Sequence, residues 1–218
     1  MERIVSGIGV LDKAMEVLSA LEVGPASLAE LVEATGLPRA TTHRLAVALE
    51  VHGMVRRDRQ GRFHIGYRVV SLGRAAGDRV LVDAASVALE DLRRKTGESV
   101  QLFVRDGRER VCLLSLESPN ELRTIIEHGA RLPIDRGSAG KVLADDWSPG
   151  RSGEQWAQSA GEREPGVSSV SAPVRAASGE IIAAVCVSGP IERLGRQPGN
   201  TMGSMVVRAA RSIERNLG

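Results

Sequence analysis

Between residues 39 and 68 the chain places seven arginines, Arg39, Arg44, Arg56, Arg57, Arg59, Arg62 and Arg68, opposed only by Glu50 and Asp58. The run Arg39-Ala40-Thr41-Thr42-His43-Arg44 adds hydroxyls and an imidazole to these cations. Guanidinium groups fork onto phosphate oxygens and guanine edges, and a threonine offers a hydroxyl to phosphate or a methyl to thymine. The chemistry on offer is recognition of a nucleic acid backbone and its base edges. A solvated arginine-rich surface is the alternative reading of the same charge. Catalysis and metal binding have less to stand on. His43, His52, His64 and His128 are scattered without metal-ligand spacing. There is no G-x-S-x-G, and neither Cys112 nor Cys186 has a base close in sequence. Gly137-x-x-Gly140-Lys141 superficially looks like a phosphate loop. The Walker spacing would need Gly at 135 and Ser or Thr at 142, where this chain has Asp135 and Val142. No catalytic residue, metal ligand or cofactor is expected.

The elements around the arginines decide whether they can meet a duplex. Ile8, Leu11, Ala14, Met15, Leu18 and Leu21 recur at helical steps and predict an amphipathic helix over 8–22, ended by Gly24-Pro25. Ser27 with Glu30 three residues on is a capping box, opening a short helix to Ala34. Gly36 suits a left-handed turn, Pro38 suits the first turn of a helix, and that helix runs to about His52 with Leu45, Ala48 and Leu49 as its buried stripe. Two short helices joined by a tight turn are a helix-turn-helix, whose second helix offers its N-terminal residues to the major groove. Met54 to Arg57, a turn at Asp58-Arg59-Gln60-Gly61, and Arg62 to Ile65 then read as a β-hairpin with a basic tip. Together they make a winged helix. Arg39, Thr41, Thr42 and Arg44 are the candidate base and phosphate contacts, with His43 a backbone or packing contact. Arg59, Gln60 and Arg62 would hold the wing on the DNA backbone, and Ser27 would anchor the first helix of the motif, with a phosphate as a further partner. A winged helix that binds protein instead is the other reading.

Gly9-Val10-Leu11-Asp12, Leu37-Pro38-Arg39-Ala40-Thr41-Thr42-His43-Arg44-Leu45 and Gly61-Arg62-Phe63 resemble the N-terminal domain of the IclR family of bacterial transcriptional regulators. Arg131-Leu132-Pro133 with Gly137-Ser138-Ala139-Gly140-Lys141 is similar to that family's "LP…GK" segment. Glu162 with Gly166, Ala172-Pro173-Val174, and Ala183-Ala184 leading to Ser188-Gly189-Pro190 are similar to its closing signature. The resemblance implies a winged helix-turn-helix over 1–66, a linker helix over 67–80 and a GAF-like α+β effector-binding and oligomerisation domain over 81–218. It implies a homodimer or dimer of dimers on a pseudo-palindromic double-stranded DNA operator. The group of actinobacterial regulators of leucine and other amino-acid biosynthesis genes is the nearest in character.

The second half fits that outline. Asp83 to Thr96 reads as a helix ending in Arg93-Arg94-Lys95, where cations suit the C-terminus. From Ser99 the period becomes two: Val100, Leu102 and Val104 alternate with Gln101, Phe103 and Arg105, and Asp106-Gly107 turns the chain into a return strand over 108–116. Further strands are expected at 122–126, 155–159, 168–175 and 181–187, with helices at 138–144 and 202–217. Strands in sequence with helices between and after them predict an α+β domain on a mainly antiparallel sheet. The Gly137-Ser138-Ala139-Gly140 turn could offer backbone N–H groups to a small anion. The resemblance places effector contacts on Ser138, Ala139, Ser159, Ser169, Cys186 and Ser188. Ser159 stands where the family commonly has a carboxylate, and Cys186 where it has Ser. The same residues also read as sheet hydroxyls satisfying the backbone and a small core thiol. Residues 145–154 form a loop where the family usually has a longer helical stretch. A small-molecule-binding enzyme on this fold would need a titratable pair that these positions lack.

Composition bounds the rest. Residues 1–75 carry ten Lys+Arg against eight Asp+Glu, leaving nineteen of each for 76–218, so the whole net charge of +2 sits in the first third. Only five residues are aromatic, which argues against a single-strand binder built on stacking platforms. No apolar run reaches the ~18 residues of a membrane span. The N-terminus lacks a signal peptide's pattern, and two cysteines make no disulfide framework, so a cytoplasmic protein is expected.

Overall fold

The computed structural model describes residues 6–75, 79–150 and 153–217. The chain divides into two compact units, Met1–Gly77 and Asp78–Gly218.

In the first unit, α1 (Gly9–Glu22), α2 (Leu28–Thr35) and α3 (Arg39–Val51) precede a hairpin of β1 (Val55–Arg57) and β2 (Phe63–Ile65), followed by α4 (Tyr67–Ala75). Ser27 Oγ accepts from the Glu30 N–H while the Glu30 carboxylate accepts from the Ser27 N–H, so the capping box is complete. Gly36, at φ +66°, ends α2 in the left-handed conformation that a side chain resists, and its N–H caps the Val32 carbonyl. Pro38 is the residue before α3 rather than its first member, giving its carbonyl to Thr41 and Thr42. Val17, Leu18, Leu21, Leu31, Leu37, Ala46, Val55 and Phe63 form the core. Ala26 exchanges both backbone bonds with Phe63 and ties the hairpin to the helices.

Two apolar stripes fall differently from the sequence expectation. On α1 the buried side chains are Val17, Leu18 and Leu21, while Ile8, Leu11 and Met15 stay exposed because the core underlies only the second half of the helix. On α3 the inward row is Thr42, Leu45, Ala46 and Leu49, with Ala48 exposed. That row is spaced i, i+3, i+4, i+7, the repeat of one helix face.

The second unit is an α+β domain. α5 (Arg79–Thr96) leads into β3 (Ser99–Asp106), β4 (Glu109–Leu116), β5 (Arg131–Pro133), α6 (Gly137–Leu143), β6 (Ala157–Ala160), β7 (Val167–Arg175), β8 (Ile181–Pro190), α7 (Ile191–Leu194) and α8 (Gly199–Leu217). All strand pairs of the sheet are antiparallel, in the order β5-β4-β3-β8-β7-β6. Val100, Leu102, Val170, Ala172, Val174, Val185 and Val187 pack against α5 and α8 on one face. Phe103, Cys112, Ala184 and Cys186 point to the other face, where Ala139, Val142 and Leu143 of α6 cover them. With both faces covered, the central strands bury nearly every residue, including Gln101 and Phe103.

The strand expected at 122–126 does not form; the third strand of this region is β5. Two carbonyls of 122–126 are taken by side chains instead of a ladder: Ser99 Oγ donates to the Thr124 carbonyl at 2.7 Å and Arg193 donates to the Leu122 carbonyl at 2.8 Å. Helix α5 begins at Arg79 rather than Asp83, β6 starts two residues later than 155, α8 opens at Gly199, and the turn of α7 between Pro190 and Gly195 was not anticipated. The junction at 76–78, over which the linker helix was expected to run, lies outside the described residues.

Candidate nucleic-acid interface and ligand cavity

The first turns of α3 sort their side chains by the helical period. Arg39, Ala40, His43 and Arg44 are exposed on one face, and Thr41 is partly exposed beside them. Thr42 faces the other way. It is wholly buried, and its Oγ1 donates toward the Pro38 carbonyl at 3.2 Å, so it cannot reach a base. Its role in the interface is corrected to that of a core residue.

Six of the seven arginines separate by what they touch. Arg57 pairs with Glu50 at 3.0 Å and lies over the Phe63 ring. Arg62 donates to the Pro25 carbonyl and faces Glu30 at 3.5 Å, which turns it back from the wing tip onto the start of α2. The expectation that Arg62 grips DNA gives way to a bracing role. Arg56 lies over Tyr67 and beside His64. Arg39, Arg44 and Arg59 have no ion-pair partner among the described residues, and all are exposed.

At the wing tip, Asp58 Oδ1 accepts the N–H groups of Gln60 and Arg62 at 3.0 and 2.9 Å, and Asp58 Oδ2 meets His64 Nε2 at 2.8 Å. The His64 contact holds the Asp58 carboxyl below the usual carboxylate range. Gln60 and Arg59 are thereby held outward on a fixed turn. Ser27 caps α2 as expected. The Glu30 carboxylate 2.6 Å from its N–H puts negative charge where a phosphate would approach, so the phosphate role expected of Ser27 is not favoured.

The second unit contains a cavity between α6 and its covered sheet face. Ser138, Ala139, Ser159, Ser169, Cys186 and Ser188, the positions expected to touch an effector, all line it. Strand register explains why. Ser159 pairs with Ser169, and Ser169 with Ser188, so β6, β7 and β8 present them to one face. Several hydroxyls already have partners within the protein. Ser138 Oγ lies 2.8 Å from Ser169 Oγ and 2.7 Å from Ser171 Oγ, and Ser188 Oγ donates to Gln101 Oε1 at 3.0 Å. Burial pushes the Cys186 thiol up, leaving a neutral thiol in the wall.

The remaining lining includes Phe103, Ile126, Val167 and two arginines, Arg110 and Arg163, none of them anticipated. Period-two alternation carries the signal for Arg110, which stands two residues before the inward Cys112 on β4. Its Nη1 donates to the carbonyls of Pro133 and Arg136. Arg163 faces Glu164 at 3.1 Å. No group of His, Cys, Asp and Glu that could hold a metal occurs among the described residues, and no described helix is long and apolar enough to cross a membrane.

Residues 10–59 match the IclR helix-turn-helix domain, and residues 74–149 and 151–215 match the family described as bacterial transcriptional regulator IclR C-terminal. The regulator KipR of Bacillus subtilis (strain 168) is 31% identical over 118 residues, 54% of this chain and 47% of KipR. The repressor AllR of Escherichia coli (strain K12) is 32% identical over 141 residues, 63% of this chain and 52% of AllR. The chain thus spans about half the length of these two relatives; against AllR of Salmonella typhi the match is 26% over 247 residues, 97% of this chain and 91% of that protein. Among solved structures, IclR of Thermotoga maritima superposes with a TM-score of 0.69 at 22% identity, covering 97% of this chain and 99% of that one. An IclR homolog from Microbacterium hydrocarbonoxydans, solved with 4-hydroxybenzoate, gives a TM-score of 0.69 at 20% identity, covering 95% and 98%.

Proposed function

The chain belongs to the IclR family of bacterial transcriptional regulators, and on that footing we propose that it is a one-component regulator that reads double-stranded DNA and answers to a small molecule. The observation that carries this reading is the exposed row Arg39, His43 and Arg44 at the start of α3, with Arg59 on the wing; the three arginines have no ion-pair partner among the described residues. Thr41 flanks the row and Gln60 flanks Arg59. Arginines committed elsewhere would have left no cation for phosphate or guanine.

An effector in the cavity beneath α6 acts, in this reading, by favouring one arrangement of the DNA-reading units over another, so its differential affinity is the switch. The relative solved with 4-hydroxybenzoate supports a small organic occupant for this kind of domain. Exposed Ile8 just before α1, Val10, Leu11 and Met15 on α1, and Tyr67, Val70 and Leu72 on α4 are large apolar groups that a single chain leaves uncovered, which supports a homodimer or dimer of dimers. A pseudo-palindromic operator follows from that symmetry. Control of amino-acid metabolism, the finer assignment, rests on sequence resemblance alone, and a cytoplasmic location follows from the proposed role.

The test is recovery and sequencing of sheared chromosomal DNA bound by the full chain. The expected product is an enriched inverted repeat with half-sites about one helical turn or a multiple apart. Genes beside it would check the amino-acid assignment. Uniform recovery, with no enriched sequence, would overturn the reading.

A further inference from the structure

Arg110 sits in the wall of the cavity with only 3% of its surface exposed. A guanidinium this deep normally has a carboxylate, because an unpaired charge away from water is costly. Among the described residues no carboxylate forms an ion pair with Arg110, and Asp135 acts on it only at longer range. Its Nη1 is occupied by two carbonyls, yet its Nε has no partner and no bond to its Nη2 is found. The Nε–Nη2 edge is the side of a guanidinium that grips the two oxygens of a carboxylate. Phe103 lies under the guanidinium plane, 5.4 Å from its centre, and holds it in position.

A second cation shares the place. Around Gly137 a methyl group would meet Arg110 Nη2 at 3.4 Å and Arg163 Cβ at 3.9 Å, so the two arginines flank the same backbone. Glu164, the partner of Arg163, is more than half exposed and screens it weakly. No Asp or Glu lines the cavity. The lining carries two guanidinium groups and hydroxyls, with the Glu162 carboxylate at its edge, accepting the Gly137 N–H at 3.3 Å and paired with Lys141.

We propose that the cavity binds a small dicarboxylate, with one carboxylate forked onto the Nε–Nη2 edge of Arg110 and the other toward Arg163, and that Arg110 sets the charge of the ligand accepted. This rests on the reading of the second unit as an effector domain and deepens it.

The experiment measures thermal unfolding and calorimetric binding of the full chain with oxalate, malonate, succinate and glutarate. Acetate, benzoate and the neutral diamide malonamide are run beside them at matched ionic strength. At least one of the four diacids is expected to raise the unfolding temperature saturably, with affinity at least about tenfold above the monoacids and malonamide. Arg110→Lys keeps a cation but loses the fork, and Arg163→Gln removes a charge that is not part of the core. Each is expected to weaken the diacid at least about tenfold while affinity for DNA without ligand stays at the wild-type value. If a monoacid or malonamide binds as well as every diacid, or both variants bind diacids like wild type, the dicarboxylate assignment is overturned and the effector cavity stands. If none of the seven compounds binds, the assignment falls. The effector reading itself falls only if, in addition, no metabolite extract alters DNA affinity.

Discussion

The Arg57 guanidinium lies 3.0 Å from the Glu50 carboxylate, and this contact joins the first strand of the wing to the last turn of α3. Both side chains are about one-third exposed, so the pair orients the wing more than it stabilises the fold. The same economy operates at Arg62, which spends its charge on Glu30 and the Pro25 carbonyl. Two arginines thus build the platform, and Arg59 is left to use it. Arg59→Ala should reduce the slope of log affinity against log salt by about one unit, on any DNA sequence. Arg62→Ala should leave that slope near the wild-type value. Equal slopes for wild type and Arg59→Ala would show that the wing tip does not touch phosphate.

Thr41 and Thr42 are adjacent in sequence and opposite in role. Thr42→Val loses the contact from Oγ1 to the Pro38 carbonyl but keeps the shape, and should cost about 1 kcal/mol of stability, measured by urea unfolding, with sequence preference intact. Thr41→Val should leave stability within about 0.5 kcal/mol and reduce DNA affinity instead. The reverse pattern would mean that the face of α3 has been misassigned.

Both cysteines should be inert in the native protein. Burial pushes the Cys112 thiol up to about 12, and burial raises Cys186 as well. The thiolate is the reactive form, so neither should react with a disulfide reagent at pH 8 until the second unit unfolds. A fast reaction of either thiol under native conditions would contradict the packing around α6.

The wing should loosen in acid. Asp58 is held below the ordinary carboxylate value of 3.8 first by its contact with His64 and then by the N–H groups of Arg62 and Gln60. A lowered folded value means that the contribution is fully present above 3.8 and is lost as pH falls through the folded value. Amide exchange at Gln60 and Arg62 should accelerate over that range relative to the core of the same unit. Asp58→Asn should show no such acid step, and a step of equal size in that variant would assign it to another group.

Gly140 is required by close approach. A Cβ there would stand 2.2 Å from the Ile134 carbonyl oxygen and 3.0 Å from Arg110 Nη1. Gly140→Ala should destabilise the second unit by about 1–3 kcal/mol or more, read from its thermal transition. A neutral result would mean that the loop before α6 gives way easily.

The reader was more legible in the sequence than the cavity, and the reasons are physical. Helix caps and turns are local: Ser27 with Glu30, Gly36 and Pro38 fix where α2 and α3 begin and end, whatever packs around them. The facing of Thr42 was also readable, since it stands one turn before Ala46, but its hydroxyl drew it into the polar set. The strand alternation at Gln101 and Phe103 does not by itself show that both faces are buried. A polar and an aromatic residue opposite a Val-Leu-Val row look outward only until α6 covers that face. Arg110 was missed by the same step, because an arginine on a strand is expected in solvent. The apolar stretch 122–126 has strand composition, yet Arg193 and Ser99, distant in sequence, take two of its carbonyls.

The most direct measurement uses the DNA site recovered from the chromosome. Wild type and Arg39→Ala are titrated against that site and against copies with each base pair of one half-site changed. Wild type should lose about 1–3 kcal/mol at each contacted pair. Arg39→Ala should bind the original site about 1–3 kcal/mol more weakly and cease to distinguish bases at one position. If Arg39→Ala and wild type give the same affinity on every member of the series, the start of α3 does not read the sequence and the account fails.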